Sequence, residues 1–200
     1  MLRKIVAIIL AVSLSACDPE IDANVLYLGD SLMVSAAGRI ASINTANSRS
    51  ALTMFEVLGG TAIEHSDYFA ARLANVQSRV ELDEVFISLG SNVYDKTKDP
   101  SQGIAEILNA ISPNTRVCWI VPHSNVRNIR DSETYDATLE ALKTASESGE
   151  WPNLTLLSLD EYAESNAISL VDSWLAPDGV HLSEAGISAW TTMLYAYQAE

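Results

Sequence analysis

The sequence predicts an α/β domain built on a parallel sheet of five strands, and three observations carry that expectation. Short apolar runs rich in β-branched or aromatic residues recur after residue 23, stretches with helical spacing lie between them, and each run stops at a polar or turn residue. The strands are expected at "NVLYLG" (24–29), "LTMFEVL" (52–58), "EVFISLG" (84–90), "RVCWIVP" (116–122) and "LTLLSL" (154–159). The helices are expected at "SLMVSAAGRIASI" (31–43), "SDYFAARLANVQSRV" (66–80), "GIAEILNAI" (103–111), "DATLEALKTASES" (136–148) and "SEAGISAWTTMLYAYQ" (183–198). In the second helix Phe69, Leu73 and Val76 recur at steps of three and four, so one face is apolar and can pack on a sheet. Ser183 and Glu184 ahead of the last apolar-periodic stretch mark a capped helix start. At 200 residues and 48% hydrophobic content, with no repeat and no low-complexity block, one domain accounts for the chain.

The first residues follow a different pattern. "MLRKIVAIILAVSLSAC" has a basic start, an apolar stretch from Ile5 to Leu14 and small residues before Cys17. That is the layout of a secretory signal, and the apolar stretch is short for a membrane span. Leu14-Ser15-Ala16-Cys17 resembles a bacterial lipobox, which implies a signal peptide over 1–16, acylation of Cys17 and a lipidated tether over 17–23. The expected location is therefore the bacterial cell envelope, anchored to a membrane and facing the periplasm or exterior. With Cys17 acylated, Cys118 is the remaining thiol and no intramolecular disulfide can form. Cys118 lies in an apolar run and reads as a buried small hydrophobe.

A formal charge of −14 sets a second boundary. Such a surface repels phosphate backbones, so nucleic acid is not an expected partner. The three histidines, at 65, 123 and 181, show no short metal-ligand spacing, so no metal site is expected. His65, near an expected helix start, reads as solvated, and His123, after the fourth run, reads as a polar loop histidine or, alternatively, as one that lines the pocket.

In an open parallel sheet, ligands sit beyond the carboxyl ends of the strands. After the first run comes Gly29-Asp30-Ser31-Leu32, after the second Gly59-Gly60-Thr61, and after the third Gly90-Ser91-Asn92, while Asp178-Gly179-Val180-His181 precedes the last helix. Together these supply a hydroxyl, a close-approach backbone amide, a carboxamide, and an acid with an imidazole. Ser31 can serve simply as a helix N-cap. With a base at hand it can instead be a nucleophile, because a free serine hydroxyl attacks poorly until a neighbour takes its proton. His181 can be that base. Asp178, three residues earlier, can accept from the imidazole and fix its tautomer. The N–H groups of Ser31 and Gly60 with the Asn92 carboxamide can face the oxyanion of a tetrahedral intermediate.

These blocks resemble the SGNH, or GDSL-type, hydrolase family over residues 24–200, and "PDGVHLSEAG" is similar to that family's closing motif. The resemblance implies a flavodoxin-like three-layer α/β/α sandwich. It also implies Ser31, His181 and Asp178 as catalytic residues, Ser31, Gly60 and Asn92 as the oxyanion hole, and no cofactor. The third block departs from the family's usual Gly-x-Asn-Asp, since Val93 follows Asn92. The expected function is hydrolysis of carboxylic esters through an acyl-serine, on small acyl groups such as the O-acetyl groups of envelope or exported carbohydrate, by a monomer. Lysophospholipase or thioesterase activity, acyl transfer, and glycan binding without catalysis remain open alternatives. Trp174 and Leu175 are expected to wall the substrate.

Overall fold

The computed structural model describes residues 24–47, 52–92, 95, 97–129 and 131–198. Residues 1–16, Cys17, the tether over 17–23 and Val93 lie outside the described residues. Five strands, β1 (Asn24–Gly29), β2 (Leu52–Val57), β3 (Glu84–Ser88), β4 (Arg116–Val121) and β5 (Leu154–Ser158), form one parallel sheet in the order β2-β1-β3-β4-β5. That order is the flavodoxin-like one, with the chain reversing direction across β1 and β3.

Alternation along β1 assigns the two faces. Val25 and Tyr27 point to one side, where α1 (Ser31–Asn47) and α8 (Glu184–Gln198) supply Met33, Ile40, Trp190 and Leu194. Leu26 and Leu28 point to the other, against Phe69 and Leu73 of α2 (Ser66–Gln77), Ile104 and Ile107 of α3 (Pro100–Asn109) and Leu142 of α5 (Ser132–Glu147). A strand covered on both faces needs apolar residues at every position, which is why β1 reads as a continuous run. Tyr27 also stacks between Phe55 of β2 and Phe86 of β3, with ring centroids 5.2 and 5.1 Å away, and so ties three neighbouring strands on one face.

Element ends differ from the sequence expectation where side chains close a turn. β3 stops at Ser88, two residues early, because Gly90 turns the chain away at φ 110°. Helix α3 begins at Pro100, since the Asp99 carboxylate caps it by accepting from Ser101 N at 2.9 Å. Helix α5 begins at Ser132, four residues before its clear periodicity. Between the expected elements lie a 3-10 turn (Ile63–His65) and the short helices α4 (Asn125–Ile129), α6 (Leu159–Ser165) and α7 (Leu170–Ser173). None is long enough to show a helical repeat in sequence. No helix among the described residues is long and apolar enough to cross a membrane.

Trp174 and Leu175 are buried in the core beneath α8, with Trp174 stacked on Tyr162 at 5.9 Å. Helix α8 seats directly on this segment. Ser183 caps it, accepting from Gly186 N at 3.1 Å, and Ser183 N donates to Trp174 O at 2.8 Å. A Cβ on Gly186 would fall 2.0 Å from Trp174 O. Gly186→Ala is therefore expected to destabilise the fold by about 2 kcal/mol through overpacking, read as a lower urea midpoint. An unchanged midpoint would mean that α8 does not need this close approach.

Candidate active site

The turn from β1 into α1 decides what Ser31 is free to do. Asp30, not Ser31, is the N-cap: its carbonyl accepts from Val34 N at 3.0 Å and its carboxylate from Leu32 N at 3.0 Å. Its own N–H donates to Ser88 O at 3.0 Å, locking the turn to the end of β3. Gly29 permits this closeness, because a Cβ there would lie 2.7 Å from the same carbonyl oxygen. Ser31 thus occupies the first helical position, where its N–H has no intrahelical acceptor and its hydroxyl is not consumed by capping.

The hydroxyl meets His181. Ser31 Oγ lies 3.1 Å from His181 Nε2, although the two residues are 150 apart in sequence. On the far side of the ring, Nδ1 donates to Asp178 Oδ2 at 2.7 Å. The other carboxylate oxygen, Oδ1, accepts from Val180 N and His181 N, each at 2.9 Å. The imidazole hydrogen bond, with those two backbone donors behind it, holds the Asp178 carboxyl down to about 2. An ionised Asp178 accepts only, so it selects the tautomer with the proton on Nδ1 and leaves the Nε2 lone pair facing Ser31.

Asp178 and His181 sit on one small closed loop. Ala176 N donates to His181 O at 2.8 Å, Gly179 N donates to Ala176 O at 2.9 Å, and Leu175 bridges Leu182 in antiparallel fashion. Gly179 takes φ 69°, the left-handed conformation that glycine adopts without cost. The side chains of His181 and Asp178 remain 43% and 53% exposed, so water reaches both groups.

Gly60 and Asn92 stand on the neighbouring loops. Gly60 is left-handed at φ 77°, whereas Gly59 has open space around its Cβ position, which favours Gly60 as the position that needs glycine. Asn92 is buried, and its Nδ2 faces Thr61 O at 3.1 Å and Asp30 Oδ2 at 3.4 Å. These contacts stitch the loops after β1, β2 and β3 together. The Asp30 contact is the long, weak one, so an incoming oxyanion would compete for that hydrogen.

His123 lies in the loop after β4, as expected, and it is buried there. It is 2% exposed, and its Nε2–H donates to Val180 O at 2.9 Å. Burial pushes its pKa down. Asn125, which drew no attention in the sequence, donates to Gly179 O at 2.6 Å. The signal was available, since both follow β4 at the carboxyl edge where ligand loops gather. Among the described residues, no group of three or more His, Cys, Asp or Glu side chains is arranged to hold a metal ion.

Comparison with known proteins places the architecture. Neither a family model nor a curated protein sequence matches the chain. Solved structures do. A lipase/acylhydrolase from Enterococcus faecalis superposes with a TM-score of 0.66 at 18% identity, covering 88% of this chain and 95% of that one. A member of the lipolytic protein G-D-S-L family from Veillonella parvula gives 0.64 at 13% identity, over 86% and 96%. The C-terminal catalytic domain of peptidoglycan O-acetyltransferase A from Streptococcus pneumoniae gives 0.62 at 15% identity, over 88% and 92%. The chain has the fold of the SGNH/GDSL lipase-acylhydrolases and esterases.

The geometry makes a direct prediction. Asp178→Asn removes the tautomer selection and should slow covalent labelling of Ser31 by a fluorophosphonate by on the order of 10⁴-fold, measured by intact-protein mass spectrometry. A labelling rate equal to wild type would show that the carboxylate does not act on the imidazole.

Proposed function

We propose that the protein is a serine ester hydrolase that works through an acyl enzyme on Ser31. The observation that carries the reading is the continuous line from Ser31 Oγ through the His181 ring to Asp178, with contacts of 3.1 and 2.7 Å. In this scheme Nε2 takes the Ser31 proton as Oγ attacks the ester carbonyl. The negative oxygen is met by the Ser31 N–H at the start of α1, with Gly60 and Asn92 as the further donors. Collapse expels the alcohol, which receives the proton from Nε2. Water then repeats the sequence on the acyl-serine, releasing the acid and restoring the hydroxyl.

Two observations bear on the substrate. The acid and base side chains are about half exposed, which favours water over a sugar hydroxyl as the acceptor and small acyl groups over long enclosed chains. The second is the direction of β1. Asn24 opens that strand at the amino edge of the sheet and Ser31 follows its carboxyl end, roughly 20 Å away for six residues of strand. A membrane anchor at Cys17 therefore joins the domain at the edge opposite Ser31. That arrangement suits O-acetyl groups on envelope carbohydrate better than lipids of the anchoring bilayer. The Streptococcus pneumoniae domain that shares the fold is a peptidoglycan O-acetyltransferase.

The test is an ester panel. The protein should cleave p-nitrophenyl acetate and release acetate from O-acetylated peptidoglycan or hemicellulose, and Ser31→Ala should lose both activities while keeping its circular dichroism spectrum. Full activity in that variant would overturn the nucleophile assignment. A preference for lysophospholipid over acetylated polymer would overturn the substrate class. For the anchor, Cys17→Ser should move the protein from the membrane pellet to the soluble fraction, and unchanged pelleting would refute acylation.

A further inference from the structure

The turn that carries Asp178 and His181 is held from outside as well as from within. Its inner hydrogen bonds use the backbone N–H groups of Gly179, Val180 and His181, and they leave the carbonyls of Gly179 and Val180 for other partners. Both are taken by one short segment after β4. Asn125 Nδ2 donates to Gly179 O at 2.6 Å, and His123 Nε2 donates to Val180 O at 2.9 Å. Successive carbonyls of the turn, immediately ahead of the base, are thus gripped by two side chains spaced two residues apart.

The gripping segment is itself fixed. Ser124 donates to the Asp160 carboxylate of α6 through its N–H at 2.7 Å and its hydroxyl at 2.6 Å. Tyr135 of α5 donates its hydroxyl to Pro122 O at 3.1 Å. A Cβ on Gly179 would fall 2.9 Å from Asn125 Nδ2 and 2.6 Å from Ile129 Cδ1, so α4 lies directly on the turn. The chemistry of His123 fits the same role. A carbonyl only accepts, so the ring proton must sit on Nε2, and the buried Nδ1 has no hydrogen-bond partner among the described residues. A buried neutral imidazole whose single donor is spent on a backbone carbonyl is neither a surface residue nor a general base.

We infer that His123 and Asn125 are positioning residues for the proposed reaction: they clamp the 179–180 backbone and so set the approach of His181 Nε2 to Ser31 Oγ. The inference rests on the esterase reading for its kinetic consequence but not for its structural one. A displacement of the base by a fraction of an ångström changes little in substrate binding and much in proton transfer. Removing the clamp therefore lowers kcat and leaves KM near its original value.

The experiment uses full-length protein and four variants. Asn125→Asp keeps the side-chain shape but turns an oxygen toward the Gly179 carbonyl, and His123→Leu removes the donor from a buried site. His123→Gln restores an amide nitrogen near the Nε2 position, and Asn125→Ala removes a partly exposed group with little risk to folding. The expected result for Asn125→Ala, Asn125→Asp and His123→Leu is a fall in kcat on p-nitrophenyl acetate of about 10- to 100-fold with KM within about twofold. The same variants should lose or broaden the downfield NMR proton of His181 Nδ1–H, while His123→Gln recovers both signals. Wild-type kcat and an unshifted proton in Asn125→Ala and Asn125→Asp would overturn the inference. So would losses that merely follow a lowered melting temperature and are not recovered by His123→Gln. If the wild type cleaves no ester, the downfield proton alone still decides whether the clamp orders the ring.

Discussion

The carboxylate of Asp178 is the contact on which the rest of the site depends. One oxygen ties down the two backbone N–H groups that follow it, and the other orients the imidazole. The same group thus shapes the turn and chooses the tautomer. Because those hydrogen bonds all stabilise the ionised form, the carboxyl stays charged far below neutral pH. Everything else in the fold serves to bring that turn within 3.1 Å of a hydroxyl delivered by a strand at the other end of the chain.

The parallel sheet makes the meeting possible by giving its two edges different jobs. At the amino edge polar groups are closed against one another. Asn24 N donates to Asp83, Asn24 Nδ2 donates to Glu81 O, and buried Glu84 accepts from Gln198 with Arg116 3.4 Å away. Burial raises the pKa of Glu84, as expected for a carboxylate held against the core. At the carboxyl edge the loops instead leave a hydroxyl, an imidazole and a carboxylate in reach of solvent. The tight seats of Gly29 on Ser88 and Gly186 on Trp174 carry that geometry from the core into the loops.

Much of this was legible in the sequence, for reasons that differ by element. The strands were legible because a sheet covered on both faces demands unbroken apolar runs, and β1 matches its expected span from 24 to 29. Ser31, Asp178 and His181 were legible because each follows or flanks a turn at a place where a parallel sheet presents ligands. Their 3.1 Å meeting was not, since no local pattern encodes a distance across 150 residues. Nor was the cap at Asp30, because Asp and Ser both cap helices and only backbone geometry chooses between neighbours. The burial of His123 was not legible for a similar reason: it is created by a turn 57 residues away. The short helices α4, α6 and α7 lie below the length at which periodicity can speak.

The most direct measurement is the identity of the covalent intermediate. Protein mixed briefly with p-nitrophenyl acetate, quenched in acid and digested, should carry one acetyl group on the peptide containing Ser31. The same treatment of Ser31→Ala should leave that peptide unmodified. Acetyl found on another residue, or ester cleaved at full rate with Ser31 never modified, would contradict the account.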